Sequence, residues 1–233
     1  MIYAGIVAGG TGSRVGGTIP KQYIDINGCP MLIRAVKPFT LTDKICRIYI
    51  AVSSEWFTYV QELLVKHYKA DELDRIKLIE GGINRNESVM NIITAVCSDN
   101  NITDDDILIT HDAARPFVTN EMIEENIRCA SENTVCTTAI PVTDTIIVSS
   151  DGSKVDETPN RNALFQAQTP QTFKINALLE AYARLTDEQI NSLTDICGIF
   201  SSVGKPVSIV KGSVENIKVT SPLDIKIAEA ITE

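Results

Sequence analysis

The chain has little of what would send it to a membrane, to an oxidising compartment or to a nucleic acid. No apolar run is long enough to cross a bilayer, and the N-terminus lacks the basic segment of a secretory signal. The six cysteines (29, 46, 97, 129, 136 and 197) are scattered singly, with no C-x-x-C pair and no clustering with the two histidines. That pattern is neither a disulfide framework nor a zinc site, and it fits a reducing cytoplasm. Positive charge is also scarce: 21 Lys and Arg stand against 30 Asp and Glu, a net charge of −9. Such a balance argues against non-specific nucleic-acid binding and against attachment to an anionic membrane. An acidic protein that handles anions must concentrate its few bases locally.

What is present is enough for one core. With 233 residues, 44% of them hydrophobic, the chain is expected to form a single domain over 1–233. Strand-like runs at Ile2–Val7, Arg47–Val52, Arg75–Ile79, Asp106–Thr110, Val135–Pro141 and Val207–Val210 alternate with amphipathic stretches near 31–41, 56–69, 86–98 and 119–132. This alternation predicts an α/β fold of Rossmann-like type, a mostly parallel sheet with helices on both faces. Ligands of such sheets sit beyond the carboxyl ends of the strands. The loops that follow the first, third and fourth runs should therefore meet on one edge.

The first of these loops is Ile6-Val-Ala-Gly-Gly-Thr-Gly-Ser-Arg14, followed by Ile19-Pro-Lys21. Glycines at 9, 10 and 12 allow the backbone to bend and to approach a ligand with no Cβ in the way. A loop of this kind turns several N–H groups toward one point and makes a nest for a phosphate. Arg14 and Lys21 add two positive charges beside it. The familiar alternatives fail on spacing. A Rossmann fingerprint needs a glycine at Val15, and a P-loop needs a lysine where Thr18 stands. None of the six tyrosines has a lysine four residues on, as a short-chain reductase would.

Two further loops carry chemistry. Gly81-Gly-Ile-Asn-Arg-Asn-Glu-Ser88 permits a close backbone approach, and Ser88 falls in the first turn of a helix, where it could equally serve as a cap. Ile107-Leu-Ile-Thr-His-Asp-Ala-Ala-Arg-Pro-Phe117 delivers Asp112 to the ligand edge, with Arg115 three residues on. A carboxylate there suits Mg²⁺, and a guanidinium suits a phosphate. An internal Asp–Arg ion pair is the alternative reading. His111, alone beside a strand, is assigned a structural role. From Pro141 to Gln171 the pattern changes to a long polar hairpin with its tip at Ser149–Gly152. Near the C-terminus, Ser221-Pro-Leu-Asp predicts a capped helix that runs to Ile231.

Taken together, Ala-Gly-Gly-x-Gly-x-Arg, Pro-Lys, the His-Asp-Ala-Ala-Arg-Pro-Phe string and Thr169-Pro-Gln171 resemble the cytidylyltransferase family. This is the family that contains methylerythritol-phosphate and ribitol-5-phosphate cytidylyltransferases, and the likeness covers essentially the whole chain. Asn160 before Arg161, Gln166-x-Gln-Thr-Pro-Gln-Thr-Phe173 and Leu193-Thr-Asp-Ile-Cys-Gly-Ile-Phe200 resemble the ribitol-phosphate branch more. The resemblance implies a CTP- and Mg²⁺-dependent transferase that makes CDP-ribitol for teichoic acid or capsule, with methylerythritol phosphate as the alternative acceptor. It implies Arg14, Lys21 and Lys218 as catalytic residues. Ala8, Gly9, Gly10, Thr11, Gly12, Gly82 and Ser88 are implied in nucleotide binding, and Asp112 as the metal ligand. Arg115, Thr145, Arg161 and Thr194 are implied in holding the acceptor phosphate. The hairpin, 141–171, would be an arm that interlocks with a second copy of the chain in a homodimer.

Overall fold

The first strand lies near the middle of the molecule because almost every side chain on it is apolar and buried. In the computed structural model, which describes residues 1–10, 19–193 and 195–232, β1 (Ile2–Val7) alternates its side chains between two cores. Ala4 and Ile6 enter one, and Tyr3 enters the other. A strand with apolar residues on both faces needs helices on both faces, and the chain supplies them.

The elements follow in order. After β1 come the two-residue strands β2 (Asp25–Ile26) and β3 (Cys29–Pro30), α1 (Met31–Thr40), β4 (Arg47–Val52), α2 (Phe57–His67), α3 (Ala70–Leu73), β5 (Ile76–Glu80) and α4 (Arg85–Asp99). Then come β6 (Ile107–Asp112), α5 (Asn120–Asn133), β7 (Val135–Pro141), β8 (Phe165–Lys174), α6 (Ile175–Tyr182), α7 (Asp187–Ser192), α8 (Ile196–Ser202), β9 (Ser208–Lys211) and α9 (Pro222–Ile231). Seven strands form one sheet in the order β5-β4-β1-β6-β8-β7-β9. The pairs β1–β4, β1–β6, β4–β5 and β7–β9 are parallel, and only β8 runs against its neighbours. On one face α1, α2 and α5 bury residues such as Leu32, Phe39, Leu63 and Ile123. On the other, α4, α6 and α8 bury Val89, Ile92, Leu178 and Phe200. The expected mostly parallel α/β sheet is present, with boundaries within two residues for the six expected strands.

Two parts of the sheet depart from expectation. The arm was expected to run to Gln171, but from Phe165 onward the chain is β8, inserted between β6 and β7. Pro170 cannot donate to a ladder, which argues against a central strand. The structure accommodates it with a bulge: Thr137 pairs with Gln171 and Ala139 with Ala167, so residues 168–170 stand out of register with β7. What remains of the arm, 142–164, carries little regular structure beyond one antiparallel bridge between Val148 and Glu157. The sequence reading also passes over Asn27-Gly28. These residues take φ of 46° and 78° and turn β2 back on β3, as a type I′ hairpin requires.

The last helix begins as expected. The Ser221 hydroxyl accepts from the Asp224 N–H while the Asp224 carboxylate reaches back to the Ser221 N–H. It covers a small side cluster of Ile26, Met31, Ala114 and Val219 rather than either main core. No helix among the described residues is long and apolar enough to cross a membrane.

Candidate active site

Three loops meet where β1, β5 and β6 end. Together with the Lys218 segment they enclose a cleft of about 200 Å³. Its lining includes Ala8, Gly9, Gly10, Lys21, Gln22, Gly82, Asn84, Arg85, Ser88, Asp112 and Lys218. Gly82 has no room for a side chain, since a Cβ there would lie 2.4 Å from the Glu87 side chain and 2.8 Å from its backbone. Where the Gly81 loop meets Gly9, a Cβ on Gly81 would make only ordinary contact at 3.6 Å. Thr11, Gly12, Arg14 and Thr194 lie outside the described residues.

The Gly82 loop feeds directly into α4. Asn84 caps that helix by accepting from the Glu87 N–H at 2.9 Å. Ser88 is therefore not the cap: its hydroxyl donates to the Asn84 carbonyl at 2.9 Å and accepts from the Gly82 N–H at 3.0 Å. This places Ser88 and Gly82 side by side on the cleft wall.

Asp112 ends β6 and is buried. Its Oδ1 accepts from Arg85 Nε at 2.8 Å and its Oδ2 from Lys218 Nζ at 2.7 Å. Burial by itself would raise the carboxyl pKa, but the two cations hold it well below the usual carboxylate range. The carboxylate is thus ionised at neutral pH. Lys218 is delivered from the far end of the chain because the Val219 N–H donates to the Ala114 carbonyl. The buried Asn216, in turn, donates to the Thr169 carbonyl at 2.8 Å.

Asp112 does have an arginine partner, but it is Arg85 rather than Arg115. The Arg115 guanidinium donates to the Asn216 carbonyl at 2.7 Å and lies outside the cleft lining. His111 is structural, as expected. Its Nε2 faces the Arg115 carbonyl at 2.9 Å and so carries the proton, while Nδ1 accepts from the Thr169 hydroxyl at 2.9 Å. Burial pushes its pKa down to about 4, against a smaller opposing pull from the Arg115 carbonyl. Thr145 and Arg161 sit on the exposed arm, where Arg161 donates to the Thr143 carbonyl at 2.9 Å, and neither lines the cleft.

Among the described residues, glycine backbone, two lysines and a buried carboxylate are gathered at the ends of parallel strands, an arrangement that suits a phosphorylated ligand. The model of the family described as IspD, 2-C-methyl-D-erythritol 4-phosphate cytidylyltransferase, matches residues 2–233. The chain belongs to the IspD family. Similar solved structures include 4-diphosphocytidyl-2C-methyl-D-erythritol synthase from Anaerococcus prevotii, 25% identical with a TM-score of 0.82 over 99% of this chain and 97% of that one. Another is 2-C-methyl-D-erythritol 4-phosphate cytidylyltransferase from Francisella tularensis, 26% identical with a TM-score of 0.79 over 98% of each chain. IspD-family proteins are cytidylyltransferases that use CTP and a phosphorylated sugar or polyol, generally with a divalent metal. The chain is accordingly a nucleotidyltransferase.

Within the IspD frame, sequence reasoning missed three polar residues of the cleft lining: Asn84, which caps α4, Arg85 and Gln22. Arg85 was in view, inside the Gly81–Ser88 string, and was not singled out. The available signal was its position: a base in the first turn of a helix opposes the helix dipole, so it needs a local anion, which Asp112 supplies. Its Nη1 and Nη2 are buried with no hydrogen-bond partner among the described residues. Gln22 follows Lys21 directly, and nothing in its type or spacing marks it.

Proposed function

We propose that this chain transfers the cytidylyl group of CTP to D-ribitol 5-phosphate, giving CDP-ribitol and pyrophosphate for teichoic acid or capsule. The observation that carries cytidylyl transfer is the gathering of the glycine cradle, Lys21, Lys218 and ionised Asp112 in one cleft. The choice of acceptor rests on the sequence likeness around Asn160-Arg161 and Leu193–Phe200 to the ribitol-phosphate branch. A second reading, with methylerythritol phosphate as acceptor, is favoured by the family description and by the names of the solved relatives.

In the reaction, an oxygen of the acceptor phosphate attacks the α-phosphorus of CTP. A P–O bond forms there as the bond to the β-phosphate oxygen breaks, and pyrophosphate leaves in line. No strong base is needed, because a phosphate monoester with second pKa of about 6 is mostly dianionic at neutral pH. The obstacle is repulsion between polyanions, so positioning and charge stabilisation carry the catalysis. Lys21 and Arg14 would neutralise the triphosphate and the charge that develops on the transferred group. Gly82 and Ser88 would hydrogen-bond the cytosine. Lys218, held against Asp112, stands beside the reacting phosphates.

Mg²⁺ is the cation this donor set fits. Among the described residues no group of three or more His, Cys, Asp or Glu could cage a metal. Mg²⁺, however, is commonly held by one or two carboxylates plus substrate phosphates. Among the described residues Asp112 is the one carboxylate on the cleft lining, and with two of about four lone-pair positions used it keeps room for a cation. When bound, the ion would screen charge between the phosphates.

The arm would carry the second subunit. Ile146, Ile147, Val148 and Val155 stand exposed along it, with Phe165 exposed beside it at the start of β8, more apolar surface than a solvated hairpin needs. Arg161 and Thr145 would then reach an acceptor phosphate in the partner's cleft, which Arg115 and Thr194 would also help to hold.

Pyrophosphate release from CTP and Mg²⁺, with ribitol 5-phosphate and methylerythritol 4-phosphate in parallel wells, tests the proposal. Release with ribitol phosphate alone supports it. Release with only the branched acceptor moves the protein to the second reading, and silence with both overturns each.

A further inference from the structure

The backbone of residues 8–10 has its hydrogen-bonding groups divided in an unusual way. The Ala8 N–H is used by the Ala51 carbonyl at 2.8 Å. The Ala8 and Gly10 carbonyls both accept from one atom, Nε2 of Gln22, at 2.7 and 2.8 Å. The Gly9 and Gly10 N–H groups make no hydrogen bond among the described residues. On the cleft lining, two N–H groups are thus without a partner among the described residues while two carbonyl acceptors are engaged. A phosphate is attracted by N–H groups and repelled by carbonyl oxygens, so this division is what an anion site requires.

Gln22 is built for that task. Its side chain is 4% exposed on the cleft lining. Because both partners are carbonyls, only its NH₂ end can face them, and a carboxamide has two N–H groups to give. Its own backbone is held firmly. Residues Lys21–Tyr23 form a 3₁₀ turn closed by Tyr23 N–H to the Pro20 carbonyl. The buried Tyr23 ring lies 5.4 Å from Trp56 and 5.5 Å from Tyr59. One short segment thus carries an aromatic anchor, a clamp on the glycine backbone, and Lys21 on the cleft wall.

We propose that Gln22 is a positioning residue for the nucleotide's phosphates: its carboxamide turns the Ala8 and Gly10 carbonyls away from the cleft and fixes the glycine segment against Lys21. The proposal rests on CTP being the nucleotide and is independent of which acceptor is used.

The test compares binding of CTP and of cytidine by calorimetry in the parent protein, Gln22→Met and Gln22→Asn. Methionine keeps the length and removes both donors. Asparagine keeps the donors but is one carbon too short to span both carbonyls, and it preserves the polarity of the site. The expected result is a tenfold or greater rise in the CTP Kd in either folded variant, about 1.4 kcal/mol. The cytidine Kd and the KM of the acceptor should stay within about twofold. If CTP binding is unchanged, or if CTP and cytidine weaken together, Gln22 is only structural and the proposal fails. A parent protein that binds no CTP would overturn the nucleotide assignment itself, and this proposal with it.

Discussion

Replacing Arg85 by methionine removes one of the two cations on Asp112 and leaves the carboxylate buried with Lys218 alone. Breaking a buried pair by deleting one partner typically costs about 3–5 kcal/mol. Two features reduce that here. Lys218 still donates to Oδ2 at 2.7 Å, and the change removes two guanidinium nitrogens that are buried without partners among the described residues, a relief of about 2 kcal/mol at roughly 1 kcal/mol for each unmet donor. The net loss should therefore be about 1–3 kcal/mol. For a chain of this size each kcal/mol is worth about 2–4 °C in Tm, so Tm should fall by roughly 2–12 °C. The decisive assay is a double-mutant cycle with Asp112→Asn, read by denaturant unfolding at pH 7. With the carboxylate neutral, Arg85→Met leaves no buried anion behind, so the two changes should couple by at least about 1 kcal/mol. Additivity within about 0.5 kcal/mol would refute the account of Arg85 as the partner that keeps Asp112 ionised.

Other expectations follow from the same geometry. Lys21→Ala should lower turnover by about 10²- to 10³-fold, the usual effect of losing one donor to developing charge, with little change in Tm; near-normal turnover would remove Lys21 from the mechanism. His111 gives stability a pH dependence above the carboxylate range. Its pKa is about 4 in the folded chain and about 6.5 unfolded, so below pH 6.5 the unfolded state binds the extra proton. The contribution is fully present above about 6.5 and is lost as pH falls toward 4, up to about 3 kcal/mol. Urea midpoints at pH 7.5, 6.5, 5.5 and 4.5 should show this slope in the parent and less of it in His111→Asn; a flat parent profile would contradict it. Asp112 adds its own loss only at lower pH, because its folded value is depressed. For the arm, Ile147→Asp with Phe165→Ser should convert a dimer to a monomer in light scattering, and a mass equal to the parent's would exclude the arm as the contact.

The fold was legible wherever the physics was local. Ile2–Val7 and Arg47–Val52 are apolar on both faces, and short runs of that kind have few other places to go than the middle of a parallel sheet. β8 was illegible for the opposite reason. Gln166, Gln168, Thr169 and Gln171 read as part of the polar arm, and Pro170 argues against a central strand. Much of the polarity of β8 is met by distant partners. The Thr110 hydroxyl donates to the Gln171 carbonyl, Gln168 donates to the Ser213 carbonyl, and the Thr172 hydroxyl donates to Asn126 Oδ1. A buried polar strand is stable once those partners are assembled, and no window of sequence contains them.

The same division runs through the site. Glycines, Lys21 and Asp112 could be read because their chemistry is stated by residue type at a strand end. Arg85 and Gln22 act through other groups, a carboxylate 27 residues away and two backbone carbonyls, so their importance lies in the contact rather than in the letter. This also explains why Arg115 and Asp112, three residues apart in the chain, are not each other's closest partners. A residue after a strand end can turn either into the cleft or along its rim, and here the Asn216 carbonyl draws Arg115 to the rim. Arg85, arriving from the first turn of α4, takes the buried side of the carboxylate instead. The consequence is testable in sign. Arg115→Ala should spare CTP binding, because its guanidinium touches neither the cradle nor Asp112, and should raise the acceptor KM if it holds that phosphate. A loss of CTP affinity in Arg115→Ala would mean that the rim and the cradle are one unit, and that the separation of nucleotide and acceptor residues drawn from this geometry is wrong.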